Sequence, residues 1–168
     1  MKVGVIGTGH VGLPTAAVLA HVGHDVVATD SDRRKIDDLS AGVLPYFEPG
    51  LKELIEEGRS SGRLRFVPET ADLVIGAEVV FLCVGTPPRA TGAANLVAVE
   101  KAARAVAEAA EGRLVVAEKS TVPAGTADRL AQLMRRHGTA AEFLVVSNPE
   151  FLREGSAVQD SLEPDRIL

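Results

Sequence analysis

The residues best placed to do chemistry stand in four polar clusters, each following a short apolar run. In the first, Gly7-Thr8-Gly9-His10-Val11-Gly12 has the spacing GxGxxG, directly after Lys2–Ile6 and at the opening of a segment with helical period. There Gly7 makes a tight turn, Gly9 lets the backbone approach a pyrophosphate, and Gly12 allows close packing of helix on strand. The helix amino terminus, from His10 and Val11 onward, faces such an anion with unpaired N–H groups and a partial positive charge. A lone GxGxxG is equally an ordinary Gly-rich turn, so the carboxylate of Asp30 decides the reading. It ends the run Val26-Val27-Ala28-Thr29, 18 residues after Gly12, where a dinucleotide-binding fold hydrogen-bonds the adenosine ribose. Its charge repels the 2′-phosphate of NADP, which makes NAD the expected cofactor. Arg33, Arg34 and Lys35 follow at once and either favour that phosphate or form a solvated helix face.

The second cluster is Gly85-Thr86-Pro87-Pro88, after Val79–Val84. A tight turn there places backbone and the Thr86 hydroxyl beside the cofactor. Cys83 lies inside that apolar run with no His near it in sequence, and it reads as a buried thiol rather than a nucleophile. The third cluster is Glu118-Lys119-Ser120-Thr121-Val122-Pro123. Taken alone, it is a helix start, with Ser120 or Thr121 as cap and Pro123 in the first turn. The fourth, Ser147-Asn148-Pro149-Glu150-Phe151-Leu152-Arg153-Glu154-Gly155, holds two glutamates four residues apart. If the stretch is helical, both carboxylates share a face and serve as acid/base pair or polar anchors. Otherwise they are favourable charges at a helix start.

These clusters need a scaffold that brings strand ends to one edge. Strands are expected over 2–6, 25–29, 64–67, 78–84, 113–117 and 142–146, all mostly apolar, as strands covered on both faces should be. Helical spacing marks 11–22, 33–41, 93–110 and 126–137, with a further helix over 48–58 opened by Glu48-Pro49-Gly50. The alternation predicts an α/β fold, a Rossmann-type doubly wound parallel sheet of about six strands in the order 3-2-1-4-5-6. Its ligand crevice lies at the carboxyl ends of the strands.

At 168 residues, 46% of them hydrophobic, the chain is expected to form one domain over residues 1–168. Eighteen basic against 23 acidic residues leave a formal charge of -5, which offers no footprint for nucleic acid or an anionic membrane. No apolar stretch approaches the ~20 residues of a bilayer span, and MKVGVIG has no secretory-signal pattern. With one cysteine and no internal disulfide, a soluble cytoplasmic protein with small-molecule or protein partners is expected.

The ordered set VGVIGTGHVGL, the stretch from Asp30-Ser31-Asp32 through Lys35-Ile36 to Glu48-Pro49-Gly50-Leu51, then FLCVGTPP, EKSTVP and SNPEFLREG resembles the UDP-glucose/GDP-mannose dehydrogenase family over essentially the whole chain. The likeness is greatest to members that oxidise UDP-glucose. It implies a twofold NAD-dependent oxidation of a nucleotide-sugar primary alcohol to a carboxylate, through an aldehyde and a cysteine thioester. It also implies cofactor contacts at Gly7, Gly9, His10, Val11, Gly12, Asp30, Lys35, Thr86, Thr121 and Glu154. Thr121 would help position a catalytic water and Glu150 would act as general base in thioester hydrolysis. Glu150, Phe151, Leu152 and Glu154 would line the UDP-sugar pocket. Asn95 and Pro14 depart from the family's common residues, neither touching the expected chemistry. The family's central helix, through which its members usually dimerise, and its second domain, with the nucleophilic cysteine and a catalytic lysine, have no counterpart here. The chain is therefore expected to be a fragment inactive alone. Oxidation of GDP-mannose or a UDP-N-acetylhexosamine, or a non-enzymatic dinucleotide-binding module, stands as the alternative.

Overall fold

A computed structural model describes residues 1–138 and 140–168. Its centre is β1 (Lys2–Ile6), whose Val3 and Val5 are fully enclosed. Strands β2 (Asp25–Thr29), β3 (Leu64–Phe66), β4 (Val79–Leu82), β5 (Gly112–Glu118) and β6 (Ala141–Ser147) complete one parallel sheet in the order β3-β2-β1-β4-β5-β6. The registers Ile6↔Thr29 and Ile6↔Leu82 bring the carboxyl ends of β1, β2 and β4 level. The order reverses beside β1, which opens a crevice there.

Helices cover the two faces in separate groups. On one, α1 (Gly12–His21), α2 (Arg33–Ala41) and α3 (Leu51–Ser60) bury Leu13, Ala16, Leu39, Leu51 and Ile55 against Val3, Val5 and Val26. On the other, α4 (Thr70–Val74), α5 (Val97–Ala109) and α6 (Thr126–His137) bury Leu73, Val99, Val106, Leu130 and Met134 against Val80, Leu82, Leu114 and Val116. Helix α7 (Ala157–Leu162) rests on α1. Pro14 falls in the first turn of α1, where its missing N–H breaks no intrahelical bond.

The expected fold class and strand order are observed. Several details differ, and among them α3 begins at Leu51 rather than Glu48 and β4 ends at Leu82 rather than Val84. Helices α4 and α7 have five and six residues, under two turns, too short to print a 3.6-residue period. Helix α5 begins at Val97 rather than Ala93, because Arg89 N–H donates to the Ala93 carbonyl at 2.8 Å and Pro88 bridges Ala94, a small turn that uses up the expected first residues. Finally, β6 is not covered on both faces: Leu144 and Val146 are exposed while Phe143 is buried against α5 and α6. None of the described helices is long and apolar enough to cross a membrane.

Candidate cofactor and substrate site

The glycine loop leaves β1 through Gly7, whose φ of 98° is closed to ordinary side chains. Its N–H donates to the Thr29 carbonyl at 2.8 Å, fixing the loop to the end of β2. A Cβ at Gly12 would run into the Gly7 carbonyl, so α1 can start this close only without one. At Gly9 a Cβ would meet nothing within 4 Å. Two glycines let the backbone close on itself, and the third keeps a surface open.

Asp30 is built into this loop. Its Oδ2 accepts from Thr8 N–H at 2.8 Å, the Thr8 hydroxyl at 2.9 Å and Lys35 Nζ at 3.1 Å, while Oδ1 accepts from Asp32 N–H at 3.1 Å. Burial alone would raise its pKa, but the hydrogen bonds from Thr8, Asp32 and Lys35 outweigh it and hold the carboxyl below its ordinary value. Lys35 reaches Asp30 because Asp32 caps α2, accepting from the Arg34 and Lys35 N–H groups. Arg33 is engaged by Glu69 at 3.1 Å, both exposed. Of the three bases, Lys35 is bonded to Asp30, and Arg33, exposed and paired with Glu69, lines the same groove.

Gly7, Gly9, Asp30 and Lys35 line a groove of about 830 Å³ at the carboxyl ends of β1, β2 and β4, with Gly85 and Asn95 on its far side. Asn95 was expected to stand clear of the chemistry. It instead lines this groove, because its N–H is drawn to the Pro87 carbonyl at 3.0 Å. His10, Val11, Gly12 and Thr86 lie outside the lining. His10 stacks on Tyr46 with ring centroids 4.1 Å apart, and the Tyr46 hydroxyl donates to the Gly9 carbonyl at 3.2 Å.

The Thr86 hydroxyl donates to the Thr121 carbonyl at 2.7 Å and so joins the loops after β4 and β5. Neither Ser120 nor Thr121 caps a helix, contrary to the local reading: α6 starts only at Thr126, after Gly125 in the left-handed region. The Ser120 hydroxyl is spent on the Leu82 carbonyl at 3.3 Å, and Pro123 lies ahead of the first turn, its carbonyl bonded by the Thr126 hydroxyl at 2.6 Å.

A second groove, of about 910 Å³, opens between α1 and the loop after β6, lined by Lys119, Asn148, Glu150, Phe151, Leu152 and Arg153. Lys119 Nζ donates to Asn148 Oδ1 at 3.3 Å. The stretch from Glu150 to Glu154 is not helical, so the two carboxylates do not share a helix face. Instead Glu150 Oε2 turns back to accept from Leu152 N–H at 2.6 Å. Glu154 is exposed, and it and Thr121 line neither groove.

Three residues had no role assigned from sequence. Tyr46 braces the glycine loop. Glu48 is 5% exposed and accepts from Gly155 N–H and Ala157 N–H, both at 2.9 Å. Glu118 is 1% exposed with Oε1 lacking a hydrogen-bond partner. Burial pushes its carboxyl up to about 7 against the opposing Ser120 hydrogen bonds. Glu48 and Glu118 both stood in quoted motifs, but burial of a glutamate is a tertiary property. Cys83 is buried as expected. Burial pushes its thiol up to about 12, with Lys119 lowering it and Glu118 and Glu150 raising it, so it is no thiolate nucleophile.

The sequence matches the UDP-glucose/GDP-mannose dehydrogenase family, NAD binding domain, over residues 1–168. It is 47% identical to a UDP-glucose 6-dehydrogenase of Rhizobium meliloti (strain 1021), covering 100% of this chain and 39% of that protein. Among solved structures, a UDP-glucose dehydrogenase from the hyperthermophilic archaeon Pyrobaculum islandicum superposes with a TM-score of 0.95 at 42% identity, over 98% of this chain and 39% of that one. A GDP-mannose dehydrogenase from Pseudomonas aeruginosa, solved as a ternary complex, gives 0.95 at 34% identity, over 99% and 40%. The chain thus spans about 39% of the length of the curated relative it matches. With the glycine loop, Asp30 and strand order in place, the chain belongs to the UDP-glucose/GDP-mannose dehydrogenase family, as its NAD-binding domain.

Proposed function

We propose that this chain is the cofactor-binding part of a dehydrogenase that oxidises UDP-glucose with two NAD+ and water to UDP-glucuronate and two NADH. The observation that carries the reading is the single hydrogen-bonded unit of glycine loop, Asp30 and Lys35 at the floor of a groove, with the Glu150–Leu152 loop in a second groove. The residues fit the cofactor: at Gly9 a side chain would stand in open space that the backbone leaves to a phosphate, and Asp30 Oδ1 has one donor and room for a ribose hydroxyl. NAD supplies the hydride acceptor when bound.

Gly7, Gly9, His10, Val11 and Gly12 hold the dinucleotide's phosphates, and Asp30 with Lys35 holds the adenosine ribose. The Thr86 hydroxyl fixes the Thr121 backbone through its carbonyl, and the Thr121 hydroxyl positions a water. Glu150 takes a proton from that water, and Phe151, Leu152 and Glu154 contact the sugar nucleotide. Residues beyond this chain supply the thioester-forming cysteine. The whole enzyme is a cytoplasmic homo-oligomer, and this chain without the rest does not turn over.

Calorimetric titration of the chain with NAD and NADP tests the cofactor reading. Because Asp30 is held ionised, NAD binds at least tenfold more tightly than NADP, and Asp30→Ala narrows that ratio while weakening NAD about tenfold, on the order of 1.4 kcal/mol. Equal or tighter NADP binding by the unaltered chain overturns the reading.

A further inference from the structure

Residues 42–50, between α2 and α3, run past both loops assigned above. At Tyr46 this strap touches the glycine loop twice, by the hydroxyl bond to the Gly9 carbonyl and by the stack on His10. Two residues on, Glu48 points to the other side, where Oε2 takes Gly155 N–H and Oε1 takes Ala157 N–H. These partners lie 107 and 109 residues away in sequence, and they immediately follow Glu154. The Ala157 end of this contact is closed to water, with Glu48 at 5% exposure, Ala157 at 3% and Val158 at 7% seated on the core of α1 and α3. Burial, and then the charge of Glu48, raises the pKa of Tyr46, so both ends of the strap share one low-dielectric setting.

We propose that Glu48 is a positioning residue for the loop carrying Glu150 and Glu154, and that the strap holds that loop in register with the glycine loop. A buried carboxylate receiving two backbone N–H groups fixes the backbone it holds, since loss of the Ala157 bond strands a donor out of reach of water. The loop has few other restraints: it is not helical, and Phe151, Arg153, Glu154 and Gly155 are exposed. Downstream, Arg153 is held by Asp160 of α7, through Arg153 N–H at 3.0 Å and the guanidinium. Glu48, together with the packing of α7 on α1, ties this Arg153–Asp160 unit to the cofactor half. The catalytic meaning of that register rests on the reading of Glu150 and Glu154 given above. The contact itself does not.

Amide NMR with hydrogen exchange on the ligand-free chain provides the test. Amides held by a carboxylate resonate downfield. In Glu48→Gln, which keeps one acceptor oxygen in the same volume, the Gly155 and Ala157 signals move upfield and exchange at least tenfold faster, while β1 and β5 amides stay within twofold. Glu48→Asp withdraws the carboxylate by one methylene and gives the same pattern with charge retained. Tyr46→Phe, which touches neither amide, speeds their exchange about threefold, which a local clamp without the strap would not do. Unchanged Gly155 and Ala157 exchange in both Glu48 variants overturns the positioning role. An effect of Glu48 without one from Tyr46 overturns the strap. The NAD titration stands apart, so a chain that fails to bind NAD leaves this result intact.

Discussion

The cofactor edge and the substrate edge of the sheet are built on different principles. At the first, the restraints are mainly short: Gly7 to Thr29, Thr8 to Asp30 and Lys35 to Asp30 lie inside the first 35 residues, with Tyr46 to Gly9 as a longer brace. At the second, the loop after β6 is held from afar by Glu48, and by Lys119 from the neighbouring strand end. Local restraint yields a rigid cradle that exists before ligand arrives. Remote restraint yields a loop whose geometry depends on the rest of the fold, which suits the sugar-nucleotide contact proposed for it. On the proposed function, preorganisation is concentrated where the ligand is common to many enzymes, and adaptability where it is particular.

The contrast would break most visibly at the glycines. Gly12→Ala places a methyl against the Gly7 carbonyl, backbone that cannot yield, and is expected to cost about 3 kcal/mol in urea denaturation. Gly9→Ala enters open space, so its unfolding free energy stays within about 0.5 kcal/mol of the parent while NAD affinity falls. A stability loss at Gly9 as large as at Gly12 would erase the division between closing and exposed glycines.

A smaller effect comes from Glu118, at the end of β5. Its carboxyl titrates near 7 in the fold and near 4.5 when unfolded. The unfolded chain therefore binds fewer protons between those values, and this residue's contribution is full below pH 4.5 and lost as pH rises through 7. Glu118→Gln, which cannot ionise, is expected to gain about 2 kcal/mol over the parent at pH 8 and to converge with it near pH 4, allowing for partial hydration of the ionised carboxylate. Thermal unfolding across that range checks the sign, and a parent that grows relatively more stable toward pH 8 refutes it.

The smallest effect is expected at the substrate edge. Glu150→Gln keeps an oxygen for the Leu152 N–H and should alter stability by no more than about 0.5 kcal/mol. A loss above 2 kcal/mol would mean that Glu150 belongs to the scaffold rather than to an adaptable surface.

The same division explains what could be seen in the sequence. The glycine loop and Asp30 follow from spacing because the bonds that join them are local; strand order, which pairs β1 with β4 far along the chain, follows from the alternation of strands and helices. Three of the helices start where caps and left-handed glycines put them, which sequence located to within a few residues. Glu48 and Glu118 were visible as letters in Glu-Pro-Gly and Glu-Lys-Ser-Thr, yet nothing local says that either is enclosed. The paired helix face proposed for Glu150 and Glu154 failed for the same reason: i,i+4 spacing creates a face only if the backbone coils, and here the stretch runs as a loop. Thr121 read as a cap because Pro123 follows it, but Ala124 and Gly125 intervene before α6 begins at Thr126, its amino terminus set by Gly125.

The Lys35–Asp30 pair carries one more consequence. With side chains 29% and 12% exposed, this fold keeps its own counter-ion inside the groove. An arriving dinucleotide meets a neutral couple rather than a bare carboxylate, so the groove does not repel the ligand's negative phosphates at a distance. On the proposed function, recognition of the ribose is then decided at contact range, where salt in solution screens little.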